Sequence, residues 1–202
     1  DLRLLVAGSG LAIGIPALHG LAPRAEAAQL PPPRGARAIV SGSCSTATQA
    51  QVAAFIAAGG AAFAVDPLRL AAGDDVAQQA LDWARPLLGE KPLLVYATAD
   101  ANAVKGVQAA LGASRASALV EGCIARVAQG LVQAGVAQLV VAGGETSGAC
   151  VQALGVGSLR IGVQIDPGVP WCYASAQRIH LALKSGNFGG ADFFNRAFTV
   201  LS

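Results

Sequence analysis

Three times in this chain a short apolar run stops at a turn of small polar residues, and a helical pattern follows. Ala38-Ile39-Val40 runs into Ser41-Gly42-Ser43-Cys44-Ser45, and Leu139-Val140-Val141-Ala142 into Gly143-Gly144-Glu145-Thr146-Ser147-Gly148. Residues 179–183 run into Lys184-Ser185-Gly186-Asn187-Phe188-Gly189-Gly190. An apolar run without polar alternation suits a strand covered on both faces, as in a parallel sheet flanked by helices. Leu4-Leu5-Val6-Ala7 ahead of Gly8, Gly10 and Gly14 is a fourth, weaker instance. Strands alternating with helices predict an α/β fold, three layers deep (α/β/α), with a mostly parallel or mixed sheet.

The remaining segments fit this layout. Residues 62–65, 93–96 and 161–165 read as strands. A helix after Ser45 places Val52, Phe55 and Ile56 on one face and stops at Gly59-Gly60. Residues 74–88, 102–111 and 115–134 read as helices, and a last one contains Phe193, Phe194 and Phe198. Pro31-Pro32-Pro33 breaks the chain. Residues 1–35 are therefore expected to be a glycine-rich segment and linker, and 36–202 the domain proper.

Composition removes several classes of function. Of 202 residues 53% are apolar and 13% charged, against about 25% charged in ordinary domains. Such a chain buries a core and does not stay disordered. The net charge is +2 with no cluster of Lys and Arg, which supplies no field for nucleic acid. No membrane partner is expected either. Residues 52–65 are too short to span and are interrupted by Gly59-Gly60. Residues 4–22, followed by Ala25-Glu26-Ala27, mimic a secretory leader, but Gly8, Gly10 and Gly14 fall at turn spacing. The chain begins at Asp1 and contains no Met, so it reads as a piece of a longer protein. Cys44, Cys123, Cys150 and Cys172 form no Cys-x-x-Cys pair and are expected to be free thiols in a cytoplasmic protein, with no metal site. His19 and His180 stand alone and read as surface or hydrogen-bonded residues.

Glycine lets backbone approach a ligand, and the helix after each turn offers unpaired N–H groups and the positive end of its dipole. In a parallel sheet the carboxyl ends of the strands are where ligands collect. Several such turns on one edge predict a phosphate-bearing ligand. Two familiar fingerprints do not fit. Gly143 to Gly148 has Walker A glycine spacing, but Ala149-Cys150 stands where Lys and Ser/Thr are needed. Gly8-x-Gly10-x-x-x-Gly14 lacks an acid about twenty residues on, which leaves an NAD(P)-binding oxidoreductase domain as a weaker alternative.

Four blocks occur in order: Ser41 to Ser45 with Thr48 and Gln51, Gly143 to Gly148, Pro167-Gly168-Val169-Pro170-Trp171-Cys172, and Lys184 to Gly189. Together they resemble the C-terminal nucleotide-binding domain of the four-carbon acid sugar kinase family, and Gly8 to Pro16 resembles the segment before it. The resemblance implies ATP and phosphorylation of 3-oxo-tetronate, threonate or erythronate, and phosphate chemistry adds Mg²⁺ as the expected ion. It implies that Ser41, Gly143, Gly144, Glu145, Thr146 and Gly186 touch the nucleotide. Lys184 either neutralises phosphate or closes its strand at the surface, and Asn187 either lines the pocket or caps the turn. Glu145 either holds Mg²⁺ or a ribose hydroxyl, or satisfies the helix dipole. Family members bind the sugar acid in a separate N-terminal domain, for which this chain has no counterpart, so no catalytic residue is assigned. The fragment alone is expected to be inactive, a non-catalytic nucleotide-binding module is the rival reading, and a surface so poor in charge allows a homodimer.

Overall fold

The computed structural model describes residues 4–7, 9–22, 24, 26, 29–89 and 91–201. In chain order the elements are α1 (Ile15–Leu18), β1 (Ala36–Ser41), α2 (Thr46–Ala57), β2 (Ala61–Ala64), α3 (Pro67–Ala71), α4 (Val76–Ala84), β3 (Leu93–Tyr96) and α5 (Ala101–Leu111). They continue with α6 (Ala113–Gln133), β4 (Val136–Ala142), α7 (Gly144–Ala153), β5 (Arg160–Asp166), β6 (Val169–Ala174), β7 (Ile179–Lys184) and α8 (Phe193–Arg196).

The apolar runs at 38–40, 93–95 and 139–142 are all fully or almost fully buried, because they are inner strands of one seven-stranded sheet of order β2-β3-β1-β4-β7-β6-β5. The first five strands in that order are parallel; β6 and β5 add an antiparallel edge. Alternate residues of each strand face opposite helix layers. Ala38, Val40, Val95, Leu139 and Val141 pack with α4, α6 and α7, while Ile39, Leu94, Val140 and Ala182 pack with α2, α8 and the C-terminal residues. The result is a three-layer α/β/α fold with a mixed sheet.

Several local expectations are revised. Residues 4–7 form no strand, and Leu4 and Val6 are 78% and 89% exposed; an extended segment without neighbours gains no ladder bonds. Ile56 is exposed, and the inward face of α2 is Thr48, Gln51, Val52 and Phe55. Two polar side chains occupy core positions there because carbonyl groups receive them. The helix expected over 74–88 ends as α4 at Ala84 and continues as a 3-10 turn over Arg85–Leu87, since Pro86 has no N–H to donate. β6 was not among the expected strands, and it contains Pro170, which has no N–H for a ladder bond. It is accommodated where the β5 register shifts on either side of the Gln164–Pro170 pair. The last helix is α8 followed by a 3-10 turn over Ala197–Thr199.

Candidate nucleotide site

β1, β4 and β7 are consecutive in the sheet, and their carboxyl ends are level: Ser41 lies opposite Ala142, and Ala142 opposite Lys184. The three turns therefore leave the sheet side by side and are stitched to one another. Gly42 N–H and Ser43 N–H donate to the Ala142 carbonyl at 3.0 and 3.3 Å, and Gly143 N–H donates to the Lys184 carbonyl at 2.8 Å. The approach is close enough to demand glycine. A Cβ on Gly42 would lie 2.3 Å from Thr146 Oγ1, and one on Gly186 would lie 2.7 Å from Ser43 Oγ. Gly143 has φ 126°, and a Cβ there would lie 2.7 Å from Thr146 Oγ1.

Within this cluster the expected residues take different positions. Gly144 and Glu145 are exposed at the start of α7, and Thr146 is buried against Gly42 and Gly143. Ser41 is fully buried, with its Oγ 2.7 Å from Thr98 Oγ1 in the loop after β3. Asn187 is exposed. Lys184 departs furthest from a surface lysine: it is 0% exposed. Its ammonium donates to Thr48 Oγ1 at 2.9 Å, to the Gly186 carbonyl at 3.0 Å and to the Ser185 carbonyl at 3.2 Å. Those bonds use all three of its hydrogens. Burial pulls its pKa down to about 8.

Beside the turns opens a cavity of about 450 Å³, within the size range of small-molecule sites. Gly42, Cys44, Glu145 and Thr146 form its polar end. Val65 just after β2, Tyr96 of β3, Val104 and Val107 of α5 and Val120 of α6 form apolar walls. A polar end next to an apolar chamber is the usual make-up of a small-molecule site. The first turn of α7 has no side-chain cap, whereas in α2 Ser45 Oγ accepts from Thr48 N–H; both helices direct the positive end of their dipoles here. Among the described residues no three or more of His, Cys, Asp and Glu group to hold a metal ion.

The wall made by residues 96–99 and α5 escaped the sequence reading, because β3 ends in Ala97-Thr98-Ala99 rather than in glycine. Its usable signal was Asp100, which caps α5 by accepting from Asn102 N–H at 2.8 Å and Ala103 N–H at 2.9 Å.

Cys44 is half-buried on the cavity wall, its Sγ 3.8 Å from the Ala97 carbonyl. The other three cysteines are buried, and burial raises the Cys123 and Cys150 thiols to about 11 and about 12. Mild alkylation should therefore modify Cys44 first, since both exposure and thiolate character govern the rate. Mass mapping that finds Cys123 or Cys150 modified before Cys44 would contradict this packing.

Residues 38–194 match the family model for the nucleotide-binding C-terminal domain. The chain belongs to the nucleotide-binding C-terminal domain family of the four-carbon acid sugar kinases. It is 50% identical over its whole length to a 3-oxo-tetronate kinase of Pseudomonas fluorescens, covering 47% of that protein. It is 51% identical to a 3-oxo-tetronate kinase of Cupriavidus necator, covering 100% of this chain and 47% of that one. The crystal structure of a Haemophilus influenzae protein of the DUF1537 family superposes with a TM-score of 0.80 at 38% identity, over 86% of this chain and 42% of the other. The chain thus spans about half the length of the curated relatives it matches. No helix among the described residues is long and apolar enough to cross a membrane.

Proposed function

We propose that this chain is the ATP-binding part of a kinase that phosphorylates a four-carbon acid sugar, 3-oxo-tetronate by likeness to its relatives. The observation that carries the reading is that the turns at 41–45, 143–146 and 184–187 are packed against one another, with the first two lining the end of an apolar cavity. On this reading the phosphates meet the N–H groups of Gly144, Glu145, Thr146 and Gly186, with hydroxyls at Ser43 and Thr146 nearby. The base and ribose occupy the chamber lined by Val104, Val107 and Val120. Anion binding of this kind needs no side-chain cation at the surface, because backbone amides and two helix dipoles supply the field.

The residues fit a Mg²⁺ ion held mainly through phosphate oxygens and water, as is usual for this ion. Glu145 is an exposed carboxylate beside the turns, and Asp66 and Glu121 also line the cavity. Bound Mg²⁺ would neutralise phosphate charge there. Phosphoryl transfer needs donor and acceptor held in line, and on this reading the acceptor is held by a part of the whole kinase that this chain does not span.

Calorimetric titration with ATP, ADP and NAD separates the readings. The expected result is saturable binding of ATP and ADP and none of NAD. Binding of NAD alone would favour the oxidoreductase alternative, and no binding at all would remove the nucleotide assignment. ADP should also slow alkylation of Cys44 several-fold, because the ligand covers that wall. Threonate and 3-oxo-tetronate should not be phosphorylated by the 202-residue chain alone; robust turnover would refute the placement of the acceptor pocket elsewhere.

A further inference from the structure

The turn at 185–190 is held from its carbonyl side. The Gly186 carbonyl accepts from Ser45 Oγ, from Thr48 Oγ1 at 2.9 Å and from Lys184 Nζ at 3.0 Å, and the Ser185 carbonyl accepts from the same ammonium. Gln51 Nε2 stands 3.0 Å from each of the carbonyl oxygens of Phe188, Gly189 and Gly190. Ser45, Thr48 and Gln51 recur at every third position and form one stripe at the start of α2. Thr48, Gln51 and Lys184 are all fully buried.

The peptide unit converts this into a direction. In a trans peptide the C=O of one residue and the N–H of the next point opposite ways, and no cis bond occurs among the described residues. Drawing the carbonyls of Ser185 and Gly186 toward α2 and Lys184 therefore turns the N–H groups of Gly186 and Asn187 the other way. Neither N–H meets a protein acceptor among the described residues. Gly186 lies against Ser43 and Ser45, the turn that borders the cavity.

We infer that Thr48, Gln51 and Lys184 are positioning residues for the anion. By taking the carbonyls of Ser185 and Gly186, Thr48 and Lys184 leave the N–H groups of Gly186 and Asn187 for phosphate, Gln51 holds the rest of the turn by its carbonyls, and the buried ammonium adds a fixed charge beneath it. The inference rests on the nucleotide reading above and goes beyond it by assigning roles to side chains that do not reach the cavity.

The charge of Lys184 has no protein counter-ion. None of the ion pairs among the described residues includes it. The α2 groups that face it are neutral, the Cys44 thiol is turned to the Ala97 carbonyl, and Glu145 is exposed at the start of α7. Asp166 and Asp192, beyond the far end of the turn, are paired with Arg196. An anion bound above the turn would favour the charged form of Lys184. Binding should then take up part of a proton near pH 8.5, where nucleotide phosphates, with a second pKa of about 6, no longer titrate. Stability moves in the opposite sense. The native value of about 8 is below the ordinary 10.5, so the unfolded chain binds more protons between them, and this group adds stability as pH rises through that window. Affinity falling while stability holds or rises is a signature that a merely structural lysine does not give.

The test is ADP calorimetry on the whole chain, in two buffers of different ionisation heat at pH 8.5. The unaltered chain should take up a fraction of a proton, and Lys184→Met should take up none. Thr48→Val should weaken ADP about tenfold, as expected for one lost buried hydrogen bond, and Thr48→Ser should restore it to within about twofold. Should Lys184→Met not fold, the proton uptake of the unaltered chain and the two Thr48 variants still decide. Failure of the unaltered chain to bind ADP overturns the nucleotide reading and this inference with it. ADP binding without proton uptake, or equal affinity in Thr48→Val, overturns the inference alone.

Discussion

Gly144→Leu should lose nucleotide binding while the protein keeps its fold. A Cβ at Gly144 would meet no atom within 4 Å, and this residue opens α7, where leucine is a better helix former than glycine. Unfolding free energy should therefore change by no more than about 1 kcal/mol. The added side chain instead occupies space above the first N–H groups of α7. Displacing phosphate from one or two charge-assisted hydrogen bonds, each worth about 1.5–3 kcal/mol, corresponds to a loss of affinity on the order of 100-fold. Its neighbours make the opposite case. Substituting Gly42 or Gly143 drives a Cβ into Thr146, so lost binding there would not distinguish a ligand contact from a damaged turn. Calorimetry and thermal unfolding on the same Gly144→Leu sample give the answer, and undiminished ADP affinity would count against phosphate at this helix start.

Trp171→Ala should be the most damaging single substitution for stability. The indole is 0% exposed on β6, its Nε1–H donates to the Ala197 carbonyl at 2.8 Å, and its ring centroid is 5.7 Å from that of Phe198. The substitution removes the ring around which Val169, Phe194 and Leu201 pack and leaves a buried carbonyl without its donor. Truncation of a buried aromatic costs about 3–5 kcal/mol, a large part of the roughly 5–15 kcal/mol that separates native from unfolded domains. Chemical denaturation should show a midpoint shifted accordingly, with the C-terminal turns released first. A shift below about 1 kcal/mol would mean that α8 is not anchored through this ring. Because α8 packs with α2 beneath the turn at 185–190, a milder change at this position should also weaken nucleotide binding indirectly.

The strands were legible because burial on both faces leaves an unmistakable apolar run, as at 93–96 and 139–142. The turn clusters were legible because close approach of backbones can be met by few residue types besides glycine. β6 was not, since a proline that breaks a ladder in isolation is tolerated where the neighbouring strand is irregular. Residues 4–7 were misread for the converse reason: an apolar run has strand character only if neighbouring strands lie alongside it.

Ser41, Gly143 to Thr146 and Gly186 are proposed through ordered blocks that resemble a family, each readable along the chain. The parts played by Thr48, Gln51 and Lys184 could not be read in this way, because a helix stripe and a strand end separated by more than 130 residues meet only when α2 packs beside β7. Lysine in a sequence reads as a solvated cation; only its surroundings make it a buried one with a pKa near 8. Local order along the chain therefore determined which segments become strands, which turns are rich in glycine and which family the chain joins. The sheet order decided the rest: setting β1, β4 and β7 side by side at a common level aligned three distant turns and placed the apolar chamber beside the first two.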